Sequence, residues 1–94
     1  MGAIIIHRGK IVGIGYNQVR SDGSIFDGIH AEEKALGNTR ARLRHGATLI
    51  VLRLRKSGRQ GLAKPCEYCE NLSRKSGIRN IWYSTDTGWE RMAL

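Results

Sequence analysis

The chain is short of acidic residues, and those it has are unevenly placed. Eight Asp and Glu stand against sixteen Lys and Arg, a formal charge of +8 at pH 7. Between Glu33 and Glu67 there are none, yet Lys34, Arg40, Arg42, Arg44, Arg53, Arg55, Lys56, Arg59 and Lys64 all fall there. Such a stretch is either a solvated basic face or a surface for phosphate or nucleic acid. Long apolar runs are missing too. None approaches the ~18 residues of a membrane span, so no membrane partner is expected. The short apolar run near Met1 to Ile14 is followed rather than preceded by basic residues, the reverse of a signal peptide. A cytoplasmic, intracellular protein is expected. Cysteine is limited to Cys66 and Cys69, a pair whose spacing in that setting suggests metal or redox chemistry rather than a structural staple. Repeats and low-complexity segments are absent. Ninety-four residues, 40% of them hydrophobic, suit one small domain over 1–94 with no second core. A domain so small gains from a metal or a partner chain.

What is present reads as an α/β chain. Ala3 to His7 is rich in β-branched residues and predicts a strand. Arg8-Gly9-Lys10 is a tight turn, with Gly9 available for a positive φ. Ile11 to Asn17 is a second strand, in which Gly13 and Gly15 leave one face bare for close approach to the backbone. Gln18 to Gly28 reads as a loop. Ile29 to about Arg44 predicts a helix, with Ile29, Leu36 and Leu43 on one stripe and His45-Gly46 as its stop. Thr48 to Arg55 begins as a continuous apolar run and then alternates, as a central strand emerging into solvent would. After a basic loop from Lys56 to Lys64, Pro65 opens a second helix running to about Ser76, with Gly77 beyond it. Ile78 to Ser84 is a further strand. Thr85 to Leu94 carries no assignment. The order is ββαβαβ, in a mixed sheet of about four to five strands. Right-handed crossovers put both helices on one face.

Two short motifs carry the chemistry: His30-Ala31-Glu32 and Pro65-Cys66-Glu67-Tyr68-Cys69. Cys66 and Cys69, at i and i+3 of a helix start, turn their sulfurs to one side. The unpaired N–H groups and positive dipole end there favour the thiolates that zinc requires. His30 adds a third ligand, which leaves the fourth tetrahedral position for water, the arrangement of a catalytic site holding one Zn²⁺ per chain. Glu32, two residues on, can reach that water without binding metal. It can shuttle protons to a ring nitrogen and a departing amine. The set matches the signature of zinc-dependent base deaminases. Alternatives are a redox Cys-x-x-Cys, for which no thioredoxin-like context exists, and a closed structural zinc site completed by His7 or His45. Both histidines end their elements at the wrong end to meet the cysteines.

On these motifs the chain resembles the cytidine deaminase superfamily, which includes deoxycytidylate, tRNA adenosine and polynucleotide cytosine deaminases. Gly15-Tyr16-Asn17 resembles the Gly-Tyr-Asn of deoxycytidylate deaminases and the Gly-Trp-Asn of the tRNA enzymes. The resemblance implies a three-layer or reduced two-layer α/β fold, with zinc between the N-termini of two helices. It also implies that Asn17 holds the nucleotide's sugar. Ala31 and Phe26, beside the zinc histidine, are further substrate contacts. Relatives carry a small or acidic residue before the proline, where this chain has Lys64, a candidate for a substrate phosphate. They also carry more structure around the core strands, so one sheet face is expected to lack its usual cover and to favour a homo-oligomer.

The motif does not choose the base. A free-nucleotide cytosine deaminase of the dCMP or cytidine type fits Gly15-Tyr16-Asn17. A deaminase of single-stranded polynucleotide fits the basic charge, with Phe26, Tyr68, Trp82, Tyr83 and Trp89 as the few aromatics that could stack bases. An adenosine deaminase acting on tRNA uses the same zinc chemistry. A non-catalytic, zinc-stabilised nucleic-acid-binding module is opposed by the intact Glu32.

Overall fold

The computed structural model describes residues 2–16, 35–54 and 57–94. Gly2–His7 (β1) and Lys10–Tyr16 (β2) form the expected hairpin. Its turn places both Arg8 (φ 52°) and Gly9 (φ 78°) in the left-handed region, the twist a two-residue hairpin needs. Thr48–Leu54 (β3) runs antiparallel to β1 and parallel to Asn80–Ser84 (β5). Between them come Gln60–Gly61 (β4), paired with β3, and the helix Glu67–Lys75. Trp89–Ala93 (β6) closes a hairpin on β5, filling the stretch left unassigned from sequence. The sheet is ordered β2-β1-β3-β5-β6, with β4 beside β3. Its six strands exceed the expected four to five because β4 and β6 are short or polar.

Alternation decides which face is covered. Ala3, Ile5, Leu49, Val51, Ile81 and Tyr83 all point to one side and are buried there. Each fully buried aliphatic side chain contributes about 1.5–3 kcal/mol on this account. Leu36, Ala35 and Ile78 join that cluster, with Leu72 packed against it. Gly13 shows why the bare strand face matters. A Cβ there would lie 1.8 Å from Thr39 Oγ1 and 2.9 Å from the Ala35 carbonyl, so only glycine lets this segment settle on β2.

The single helix expected over Ile29 to Arg44 is not continuous where it is described. Residues 35–37 are helical, Arg40 is extended (φ −60°, ψ 137°), and a short helix Ala41–Arg44 (α1) follows. The break has local causes. Thr39 donates its hydroxyl to the Ala35 carbonyl at 2.7 Å, and its amide bonds Leu36 O in a tighter i−3 turn. Asn38 Nδ2 is drawn to the Ile14 carbonyl of β2 at 2.9 Å. Side chains that bond the backbone in this way compete with the helical ladder. The second helix, α2 (Glu67–Lys75), also begins later than expected: Cys66, not Pro65, precedes its first turn. Pro65 lies in the extended entry. Gly77 ends it at φ 86°, as expected.

At the far edge, the Tyr83 hydroxyl donates to the Glu90 carboxylate at 2.7 Å, across the β5–β6 pair. That bond, with burial and the carboxylate's charge, raises the Tyr83 pKa above its ordinary 10.0. Among the described residues no helix is long and apolar enough to cross a membrane.

Candidate metal centre

The approach to the cysteines is a stretched segment pinned at several points. Residues 61 to 66 alternate, with Gly61, Ala63 and Pro65 buried and Leu62, Lys64 and Cys66 exposed. Gly61 pairs with Arg53 of β3, and the Ala63 amide bonds the Ser84 carbonyl at 2.8 Å. Ser84, itself fully buried, ties the two together. Its hydroxyl donates to Gly61 O at 2.7 Å and accepts from the Arg53 amide at 3.0 Å. Gln60 reaches the other way, its side-chain amide donating to the carbonyls of Thr85 at 3.1 Å and of Gly88 in the β5–β6 turn. Sequence reading missed Ser84; its only signal is a hydroxyl ending an apolar strand. Ser84→Ala strands a buried carbonyl and an amide. It should lower stability by about 1–3 kcal/mol, read from the midpoint of chemical unfolding. An unchanged midpoint would show that the pin carries no load.

The entry ends with Cys66 at the N-cap of α2, extended at φ −70° and ψ 165°, and its carbonyl accepts the first helical bond from the Glu70 amide at 2.9 Å. Cys69 follows within the first turn. Cys66 is exposed, whereas Cys69 is fully buried. One sulfur is thus held by packing and the other faces the approach, on the positive end of a nine-residue helix. Two soft donors one helical turn apart, one buried and one open, fit a pair of zinc ligands. No group of three His, Cys, Asp or Glu gathers among the described residues. The motif's third ligand, His30, lies outside them, as do Asn17, Phe26, Ala31 and Glu32. Lys64 is exposed, two residues before Cys66.

The structure also tests the closed-site alternative. His45 follows α1 and lies where a side chain on Gly77 would be, its Nδ1 2.5 Å from that Cβ position. Gly77 is beyond the C-terminal end of α2, so His45 sits at the opposite end of that helix from the cysteines, about 13 Å of helix away. His7 closes β1 next to Ile6, which pairs with Thr48 at the start of β3. The cysteines start α2 at the other end, reached from Ala63, which bonds Ser84 where β5 finishes. Neither histidine completes their site.

That end of the sheet collects the carboxyl ends of β2, β3 and β5. Gly2 pairs with both Tyr16 and Leu52, so β2 runs out at the level where β3 and β5 end. Open α/β sheets place ligands in this crevice. The end of β2, just before Asn17, and the start of α2, which carries Cys66, thus lie toward the same end of the sheet.

No curated protein matches the chain. Among solved structures, the dCMP deaminase from the cyanophage S-TIM5, in complex with dCMP and dUMP, is similar with a TM-score of 0.60 and 24% identity. The match covers 87% of this chain and 62% of that one, so the chain spans less than two thirds of the deaminase's length, and the likeness is one of fold. The family model for the cytidine and deoxycytidylate deaminase zinc-binding region matches residues 1–85, which include both motifs. The chain therefore belongs to the cytidine and deoxycytidylate deaminase zinc-binding family.

Proposed function

We propose that the chain is a zinc-dependent hydrolytic deaminase that converts the cytosine of a dCMP-like or cytidine-like nucleotide to uracil and releases ammonia. The observation that carries this reading is the placement of Cys66 and Cys69 on the first turn of α2, at the carboxyl ends of the central strands. The similar cyanophage enzyme, crystallised with dCMP and dUMP, favours a mononucleotide.

In this reading Cys66, Cys69 and His30 hold one Zn²⁺. The ion supplies Lewis acidity and makes water nucleophilic at neutral pH. Glu32 is the acid–base residue. It would take a proton from the water that adds to C4 and hand it to the ring nitrogen, then take the proton of the new C4 hydroxyl and deliver it to the amine as the C–N bond breaks and C=O forms. One water is consumed and one ammonia leaves. Asn17 orients the sugar, Ala31 and Phe26 border the base, and exposed Lys64 meets the phosphate. The enzyme is read as one domain over 1–94, homo-oligomeric and cytoplasmic.

A second reading, deamination of single-stranded polynucleotide, is favoured by the charge of +8 and by exposed Arg40, Arg42, Arg59 and Lys64. Ammonia release from cytidine, CMP, dCMP, dCTP and cytosine- or adenine-containing oligonucleotides separates the two. Turnover of dCMP or cytidine is the expected result. Turnover of oligonucleotides alone, falling steeply with salt, would install the second reading. Turnover of adenine would move the enzyme to the adenosine branch. No turnover with one zinc bound would leave a binding module.

A further inference from the structure

Charge is sorted along the strands. The described side-chain carboxylates gather toward the end that holds the cysteines. Glu67 and Glu70 are in the first turn of α2, Asp86 is in the β5–β6 turn, and Glu90 pairs with Tyr83 near the end of β5. The opposite end, where the parallel strands begin, is basic. Arg8 and Lys10 border the β1–β2 turn, Arg42 and His45 belong to α1 and its stop, and Lys75 and Arg79 stand on either side of the link from α2 to β5. All of these side chains are exposed. The acid-free stretch of the sequence is thereby divided: Arg42 and His45 go to this end, Arg53 and Arg59 to the other.

The backbone fixes the meeting of three stretches that are far apart in the chain. Ile6 pairs with Thr48, and Thr48 with Asn80, so the β1–β2 turn, the residues before β3 and the residues before β5 sit side by side. The Gly46 amide bonds Gly77 O at 2.9 Å, and the Arg79 amide bonds Ala47 O at 2.9 Å, which fastens the ends of α1 and α2 together. From β2 to β5 is three strand spacings, about 15 Å. Little there neutralises the charge. Arg74 has a carboxylate partner, Glu70 at 3.4 Å. Arg44 is half-buried behind the others; its guanidinium donates to the Leu36 carbonyl at 3.4 Å, and its buried Nε has no acceptor. Arg8, Lys10, Arg42, Lys75 and Arg79 have no ion pair among the described residues. A segment laid over them would have to bring carboxylates of its own.

The makeup of the surface selects the polyanion. Protein interfaces centre on apolar and aromatic side chains and are poor in lysine. Membrane-surface segments set apolar side chains beside their bases. Single-stranded nucleic acid is held by aromatic stacking as well as charge. Of the large exposed apolar side chains, Ile11 alone lies at this end, and none of the exposed aromatics, Tyr68, Trp82 and Trp89, stands among the bases. What remains is a set of cations with nothing to stack on a base or fill a pocket. A duplex presents phosphates in that way, about one charge per 1.7 Å of axis, so a span of about 15 Å carries roughly nine, half of them on the near side.

We propose that this basic pole is a docking surface for the phosphate backbone of double-helical nucleic acid, held without reading its bases. It lies the length of β3, about 20 Å, from the cysteine end. The proposal is independent of the base that the metal site takes. The test is the anisotropy of a short labelled DNA duplex, titrated with the full chain. The expected result is micromolar binding at low salt, indifferent to sequence. With about five phosphates neutralised, affinity should fall about 500-fold between 50 and 200 mM salt, a log–log slope of about −4.5. Lys10→Gln, Lys75→Gln and Arg79→Gln should each weaken binding and make the slope shallower by about one, with circular dichroism unchanged. Arg53→Gln and Arg59→Gln, exposed at the other end, should stay close to wild type.

Equal losses from those two variants overturn the proposal, because binding would then follow net charge and not place. So does an absence of binding at low salt, or an affinity that ignores salt. The proposal also falls if Lys10, Lys75 and Arg79 matter more for a single strand, for poly-glutamate or for phosphatidylserine-containing vesicles than for the duplex. Glu32→Ala should bind the duplex as the wild type does, so this proposal and the deaminase reading fail separately.

Discussion

Glu32→Ala should lower ammonia release by about 10²–10⁴-fold, the span that general acid–base groups contribute, while zinc stays near one per chain. The two halves of that expectation belong together. Glu32 is two residues from His30, and the proposed mechanism has it serve the water without binding the metal. With the proposed ligand set, two thiolates would donate more charge to the ion than neutral imidazoles, weakening its pull on water and leaving more of the proton transfer to the carboxylate. Full activity in the variant would remove Glu32 from the mechanism. Loss of zinc along with activity would make it a ligand or a support for one instead.

The second large effect is expected at the cysteines, and it should differ between them. Cys66→Ser and Cys69→Ser should both lose zinc at micromolar free metal, measured by elemental analysis after dialysis. Serine is a poor thiolate substitute, and metal binding is coupled to folding. Their metal-free forms should then part. Cys69 is fully buried, so the smaller, more polar serine side chain gives up packing there and should cost about 0.5–3 kcal/mol. Cys66 is exposed at the N-cap, where serine is a favoured residue, and its metal-free stability should be close to wild type. Unfolding curves in chelator read the difference directly. Equal losses in both variants would mean that burial does not distinguish the two sulfurs.

Much of this was legible in the chain because local pattern and tertiary role coincide. Thr48 to Leu54 is apolar where it is central and alternates where it emerges, so the strand and its open end can both be read. Gly13 was readable as a point of close approach, though not what approaches it. The pair Cys66 and Cys69 could be placed on a helix start from spacing alone. Other features depend on contacts that no local pattern encodes. The helical segment breaks around Asn38 and Thr39 because their side chains find β2 and the preceding turn, whereas the Leu36–Leu43 stripe still reads as continuous. β6 went unassigned because Trp-Glu-Arg-Met-Ala has no apolar run; it is an edge strand held by pairing with β5 and by Gln60 at its turn. Ser84 is visible only once β3, β4 and β5 are assembled. His30, Glu32 and Asn17 fall outside the described residues, and their roles rest on the motif.

The Ser84 hydroxyl has a consequence for how the protein matures. Both cysteines are joined before Ser84, by roughly one to three seconds at ordinary elongation rates. During that interval the ligands exist but the entry segment has nothing to be moored to, since Gly61 and Ala63 both bond to Ser84. On the proposed ligand set, tight metal capture would then await the closing parallel strand, which slides in beside β3. A chain truncated before that strand would carry both motifs and should hold zinc loosely, open to exchange with other thiols.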